Sequence, residues 1–338
     1  MQAREKTVII SRKALFFILF SLLTCITAQE PGHAFGADAT PDRLTCPEKG
    51  KGHDFFLLND GRDLREMGGD ITRKKLTLVR SKGSHTFGQK EGRQYCALRK
   101  RRDIQWVLSD LETGDILSQS KNAKKIFFGA SASKIFVAAA LLNKQKGKLT
   151  PSQFRLMTQM IVVSSNTAWL ELQKQAGDGE SDDSGREAVD RFTRKMGYEN
   201  IRGFQGWWRE SMHGNELNAL ALSRFLFDTY HNTYPGAEIL WKLMYACKTG
   251  TNKGNYYMPK GVYIGGKTGT YHGPNTSPRT MAWETIMARN HVMIFNMGGR
   301  QYGLSILSNR GKDRDVAILA GGLVREYIGE KAGFGCSP

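Results

Sequence analysis

Long hydrophobic runs are scarce in this chain of 338 residues. The two most apolar stretches, "ALFFILFSLL" near the start and "IFVAAALL" in the middle, both fall short of the roughly 20 residues that a membrane-spanning helix needs. Acidic side chains are also in short supply, 32 against 49 lysines and arginines, which leaves a formal charge of +17. The matching signs of a nucleic-acid binder are missing: no zinc-finger spacing, no RNA-binding signature, and no basic stripe interleaved with aromatics. Nucleic-acid binding is therefore not expected, and the charge points instead to an anionic envelope surface or simply to solubility. No internal repeat is evident. A 40% hydrophobic and 24% charged composition excludes global disorder and allows one large domain with an appendage.

The N-terminus reads differently from the rest. Arg4, Lys6, Arg12 and Lys13 precede a short apolar segment followed by small and polar residues, the layout of an export signal over residues 1–28. Cleavage after Ala28 and retention as an inner-membrane anchor over 14–28 both remain open. Either way the mature chain is expected outside the cytoplasm, periplasmic or secreted, with a charge of +14 once four basic groups and Glu5 are removed. There, Cys46, Cys96, Cys247 and Cys336 can form disulfides. A pairing of Cys46 with Cys96 would tie together a basic N-terminal extension or small module at 38–100. Cys247 reads as a buried small hydrophobe.

Within 38–100 short strands are expected at "HDFFLL", "KKLTLV" and "RQYCAL". From "IQWVLSDLETGDILSQ" a strand, a turn and a second strand follow. Residues 131–146 read as a helix apolar on nearly every side, hence buried. In the next helix Thr150 caps, Pro151 fits the first position, Gln153 completes a capping box, and Leu156, Met160 and Val163 form the apolar stripe. The acidic segment 176–185 lacks the ligand order of a calcium loop and reads as solvated. The last third changes period: "GVYIGG", "HVMIFNMG" and "QYGLSILSN" read as strands, "DVAILAGGLVREYIG" as a terminal helix, and 274–290 is unassigned. Two strands before the helices and three after them can form one antiparallel sheet covered by helices, an α+β sandwich.

Three polar signals stand at element boundaries. Ser131-x-x-Lys134 opens the buried helix, so Lys134 lies one turn from Ser131 at the edge of an apolar environment that favours a neutral amine. Such an amine can take the proton of a serine hydroxyl. Ser118-x-x-Lys121 has the same spelling without that context. Ser164 and Asn166, in "SSN", are two residues apart and can aim at one cleft. Lys-Thr-Gly occurs twice: Lys248 to Gly250 reads as a routine helix stop, whereas Lys267 to Gly269 follows a strand and can present a lysine and a hydroxyl to a ligand, with Gly269 leaving room for its approach.

Together, Ser131-x-x-Lys134, Ser164-x-Asn166 and Lys267-Thr268-Gly269 resemble the three signatures of the penicillin-recognising serine hydrolases, which include class A beta-lactamases and D-Ala-D-Ala peptidases. The resemblance covers about 103–329 and includes "DLETGDILS", "GKLT", "SSNTA" and "FTRKMG". It implies a class A beta-lactamase-like fold, an antiparallel sheet covered by helices with a largely helical subdomain. It also implies that Ser131 attacks a lactam or peptide amide, Lys134 is the base, Ser164 relays a proton to the leaving nitrogen, and Asn166 holds the substrate amide. Lys267, Thr268, Gly269 and Thr270 would receive the substrate carboxylate, and the backbone N–H groups of Ser131 and Thr270 would form the oxyanion hole. The chemistry calls for no metal and no cofactor.

Three departures bear on function. Ser165 replaces the family's aspartate. Only 33 positions separate Ser131 from Ser164, about half the family's usual spacing, which predicts an open cleft. The deacylating glutamate, spelled Glu-x-x-Leu-Asn in class A enzymes, has two candidates here, Glu210 in "WWRES" and Glu216 in "ELN". The expectation is thus a serine hydrolase acting on a beta-lactam. The alternatives are a D-Ala-D-Ala carboxypeptidase or endopeptidase acting on peptidoglycan peptide, and a non-catalytic envelope-binding protein on the same fold.

Overall fold

The computed structural model describes residues 43–48, 54–83, 85–209, 212–250, 253–280, 283–329, 334 and 336. The expected signal or anchor at 1–28 and the candidate Glu210 lie outside the described residues. Among the described residues, no helix is long and apolar enough to cross a membrane.

The framework is a five-stranded antiparallel sheet. Strands β1 (Ile104–Asp110) and β2 (Ile116–Gln119) come first. The small strands β3 (Phe127–Phe128), β4 (Trp207–Trp208), β5 (Met212–His213) and β6 (Glu216–Leu217) lie outside the main sheet, and β7 (Ile264–Pro274), β8 (Thr285–Met297) and β9 (Arg300–Ser308) complete it in the order β2-β1-β9-β8-β7. Two early strands thus pair with three late ones, as the alternating periods predict. Every residue of β1 is buried, the polar Gln105, Ser109 and Asp110 included, because helices cover both faces of the sheet. The unassigned 274–290 stretch carries the last residue of β7 and the first residues of β8.

The helices are α1 (Leu64–Met67), α2 (Asp70–Lys75), α3 (Gln89–Arg99), α4 (Lys134–Lys144), α5 (Pro151–Val162), α6 (Asn166–Ala176), α7 (Asp182–Lys195), α8 (Ala219–Tyr230), α9 (Ala237–Tyr245) and α10 (Asp313–Tyr327). Helix α4 is buried from Lys134 to Leu142 and forms the axis of the helical subdomain. Its first turn differs from the expectation, because Ala130–Ser133 form a 3-10 turn and the α-helix begins at Lys134. Helix α5 carries the expected capping box, Thr150 with Gln153 and Pro151 at the first position. Its buried stripe runs through Phe154, Met157, Met160 and Ile161, while Val163 is exposed and Leu156 only half-buried.

The basic 43–100 stretch contains helices where strands were expected. "RQYCAL" lies inside α3, whose buried Gly92, Tyr95 and Leu98 recur every three residues, a helical period that a six-residue window cannot separate from alternation. "HDFFLL" holds a 3-10 turn at Asp54–Phe56, and "KKLTLV" runs from α2 into an extended segment. That segment lies along the start of β7, with Ser81 N donating to Val262 O and Ile264 N to Val79 O. The stretch shares its cores with the rest of the fold: Phe55, Phe56, Leu58 and Leu64 join the helical core, and Tyr95 and Leu98 pack with α10.

The disulfide joins Cys96 to Cys336, not to Cys46. Cys46 is held elsewhere, its thiol donating to Gln301 Oε1 on β9, whereas α3 lies beside α10 and so meets the C-terminal tail. Cys247 is buried and free.

Candidate active site

Ser131 sits in the 3-10 turn ahead of α4, so Lys134 at the start of the helix lies directly behind it. Lys134 Nζ is 3.0 Å from Ser131 Oγ, 2.6 Å from Ser164 O, 2.7 Å from Asn166 Oδ1 and 3.2 Å from Ser164 Oγ. The two shortest contacts are to carbonyl oxygens, which can only accept. A neutral amine spends both protons on them and turns its lone pair towards the Ser131 hydroxyl. The Trp169 ring, with its centroid 5.1 Å from Nζ, closes another side. No carboxylate touches Lys134 among the described residues. Burial, with the charge of Lys267 second, pushes Lys134 down to about 7.

Ser164 follows α5 and enters α6 through a left-handed backbone, φ 65°. A non-glycine residue held there costs on the order of 1 kcal/mol, and the strain aims its hydroxyl between two lysines. Lys267 Nζ donates to Ser164 Oγ at 2.9 Å and to Thr268 O at 3.0 Å, and burial lowers it to about 8. Ser165, in place of aspartate, caps α6 by accepting from Ala168 N at 3.2 Å, which keeps Asn166 at the first helical position.

Lys267, Thr268, Gly269 and Thr270 lie on β7, the edge strand. Gly269 serves a different approach from the one expected. A Cβ there would stand 2.5 Å from Gly129 O and 3.0 Å from Ala132 N, so this glycine lets β7 close on the Ser131 turn and sets the Thr270 backbone beside Ser131. Ligand access is left to Thr270, which is exposed.

Sequence reasoning missed part of the cleft. Ser131, Ser164, Thr268 and Thr270 share its lining of about 350 Å³ with Lys248, Thr249, Lys253 and Asp313. Lys253 Nζ donates to Thr270 Oγ1 at 2.6 Å and to Gly269 O at 3.2 Å, and burial brings it down to about 8. Asp313 stands 4.0 Å from Lys253 and 3.4 Å from Arg289. Behind them His291 is fully buried, and burial together with Lys253 and Lys267 pushes it down to about 3, so it is neutral. Its Nδ1 accepts from Gly254 N, which assigns the proton to Nε2. The first Lys-Thr-Gly, read as a helix stop, was the available signal for this wall. The Ser118–Lys121 pair has no such place, since Ser118 is spent on Trp106 Nε1.

Of the two glutamate candidates, Glu210 lies outside the described residues and Glu216 does not join this cluster. Glu216 is buried in β6 opposite Phe128, bonded to the Ser277 hydroxyl and paired with Arg279 at 2.8 Å and Arg202 at 3.7 Å. Burial is the largest influence on it and raises it, against the lowering effect of these partners. Read back from Leu217-Asn218, the Glu-x-x-Leu-Asn spelling falls on Gly214. There a Cβ would lie 2.1 Å from Phe204 O, so the backbone crossing leaves no room for any side chain.

No family model and no curated protein matches this chain. Solved structures do. A beta-lactamase from Streptosporangium roseum is 19% identical with a TM-score of 0.54, over 70% of this chain and 98% of that one. A beta-lactamase from Desulfarculus baarsii is 18% identical with a TM-score of 0.55, over 71% and 97%. An ancestral class A beta-lactamase (GNCA) is 20% identical with a TM-score of 0.53, over 70% and 99%. At these identities the likeness speaks for architecture, and the chain has the fold of the penicillin-recognising serine hydrolases, with class A beta-lactamases among its structural neighbours.

Proposed function

We propose that the protein is an exported serine hydrolase that opens the amide of a beta-lactam through an acyl-enzyme on Ser131. The observation that carries this reading is the buried Lys134 amine, 3.0 Å from Ser131 Oγ and bounded by acceptors rather than by a carboxylate. Neutral Lys134 takes the Ser131 proton as Oγ attacks the carbonyl carbon. The oxyanion is received by the N–H groups of Ser131 and Thr270, a type of site in which one donor is worth about 3 kcal/mol. The C–N bond then breaks, and the leaving nitrogen takes the Ser164 proton, replaced from Lys134 across 3.2 Å. Lys267, bonded to Ser164 Oγ, keeps that hydroxyl oriented as a donor and favours the negative charge of a bound substrate. Thr268, Thr270 and Lys253 receive the substrate carboxylate, and Asn166 holds its amide side chain. Charge alone would also hold the mature protein near an anionic envelope surface.

Deacylation is the weak step in this scheme. With Gly214 at the family's glutamate position and Glu216 committed to two arginines, water lacks an evident base among the described residues, and on these acyl-Ser131 should be long-lived. The same observation favours a second reading, a D-Ala-D-Ala peptidase acting on peptidoglycan peptide, whose acyl-enzyme with penicillin persists. The test is turnover: benzylpenicillin and a D-Ala-D-Ala peptide are each given to the enzyme and released product is followed. Catalytic release of penicilloate supports the lactamase, release of D-alanine with a stable penicillin adduct supports the peptidase, and neither product nor adduct would refute both.

A further inference from the structure

The two Lys-Thr-Gly segments face each other. Thr268 Oγ1 donates to Thr249 Oγ1 at 2.7 Å, so the first copy forms the wall opposite the second, and Lys248 stands at that wall's outer end. The Lys248 ammonium is exposed and is held by the Thr77 hydroxyl and, at 3.1 Å, by Thr77 O, from the extended segment after α2. Both partners are neutral, and no ion pair to Lys248 occurs among the described residues. Asp313 is the carboxylate in the cleft lining, and Lys253 and Arg289 already share it. One substrate carboxylate together with Asp313 therefore leaves the four cations Lys248, Lys253, Lys267 and Arg289 in excess by two, and Lys248 is the outermost of the three lysines.

We propose that Lys248, positioned by Thr77, receives a second anionic group on the substrate, so that the cleft selects amides carrying two carboxylates. This rests on the reading of the cleft as the site of acylation. The N-terminal stretch then has a role at the site: it supplies the support for one wall of a cleft whose usual flanking segment between Ser131 and Ser164 is short.

The test is equilibrium binding to Ser131→Ala, which removes the covalent step, with two ligand pairs that differ by one carboxylate. These are N-acetyl- against N-succinyl-D-alanyl-D-alanine, and benzylpenicillin against carbenicillin. Each dianionic member should bind about fivefold tighter at low salt, the range expected of an exposed charge-assisted contact. The preference should fall with added salt. Adding Lys248→Gln should bring the ratio close to one, and Lys248→Arg should retain it. A preference in only one pair identifies the source of the second anion as lactam side chain or peptide. Equal binding within both pairs, or a preference that survives Lys248→Gln, overturns the proposal alone. Failure of all four ligands to bind overturns the acylation reading and the proposal with it.

Discussion

Converting Asn166 to aspartate changes almost nothing in shape and places a carboxylate 2.7 Å from the amine that is meant to be the base. Lys134 near 7 is about half neutral at neutral pH, whereas at an ordinary 10.5 only about one molecule in 3,000 would be. Burial thus supplies roughly a thousandfold in available base. The groups facing Lys134 are Ser131, Ser164, Asn166, Trp169 and the charge of Lys267, with no acidic neighbour to reverse the effect among the described residues. In the native protein the acylation rate should rise with pH through about 7 and then level off, falling about tenfold per unit below that. An aspartate at 166 favours the charged amine, and a contact of this kind raises a lysine by about 1–3 units. The rising limb of Asn166→Asp should move to about pH 8–10, with acylation at pH 7 lower by roughly five- to five-hundredfold and recovering in alkali. Stopped-flow acylation by benzylpenicillin between pH 5 and 10 measures both limbs. A flat native profile, or a limb that does not move in Asn166→Asp, would refute Lys134 as the neutral base.

Gly269→Ala should leave the protein folded but push β7 off the Ser131 turn, lowering acylation about a hundredfold, readable as a loss of rate without a loss of helical signal. Glu216→Ala strands Arg279 and Arg202 and should cost about 3 kcal/mol in denaturant unfolding, while the lifetime of any acyl-enzyme per folded molecule stays unchanged. Lys267 is held below its ordinary value in the folded state, so the unfolded chain binds more protons between about pH 8 and 10.5, and stability rises with pH across that window. The stability gained in Lys267→Met should accordingly be largest below pH 8 and shrink towards pH 10.5, as thermal melts would record. Peptide mapping without reductant should recover Cys96 joined to Cys336, and Cys336→Ser should cost about 3 kcal/mol of stability.

The sheet and the central helix were legible because their periods are long and clean: β1 buried on both faces, α4 apolar all round, α5 announced by Thr150, Pro151 and Gln153. Ser131, Lys134, Ser164, Asn166 and Lys267 could be picked out because each sits at an element boundary in a fixed order, and the structure gathers them within hydrogen-bonding reach. What the sequence hid is tertiary. Lys253, Thr249 and Asp313 enter the cleft from a loop, a helix end and the start of α10, positions where lysine, threonine and aspartate are ordinary. The role of Gly269 depends on a backbone from another element. The Cys96–Cys336 bond spans 240 residues and follows from α3 lying beside α10, which a short basic segment read as strands could not foretell.

Intact-mass spectrometry of the protein mixed with benzylpenicillin, followed from seconds to hours, tests the central claim most directly. The account predicts one drug-mass adduct, located on Ser131 by peptide mapping, that forms early and is lost in Ser131→Ala; its decay with turnover of drug marks the lactamase, its persistence the peptidase. No adduct in the native protein, together with no turnover of drug or D-Ala-D-Ala peptide, would contradict it.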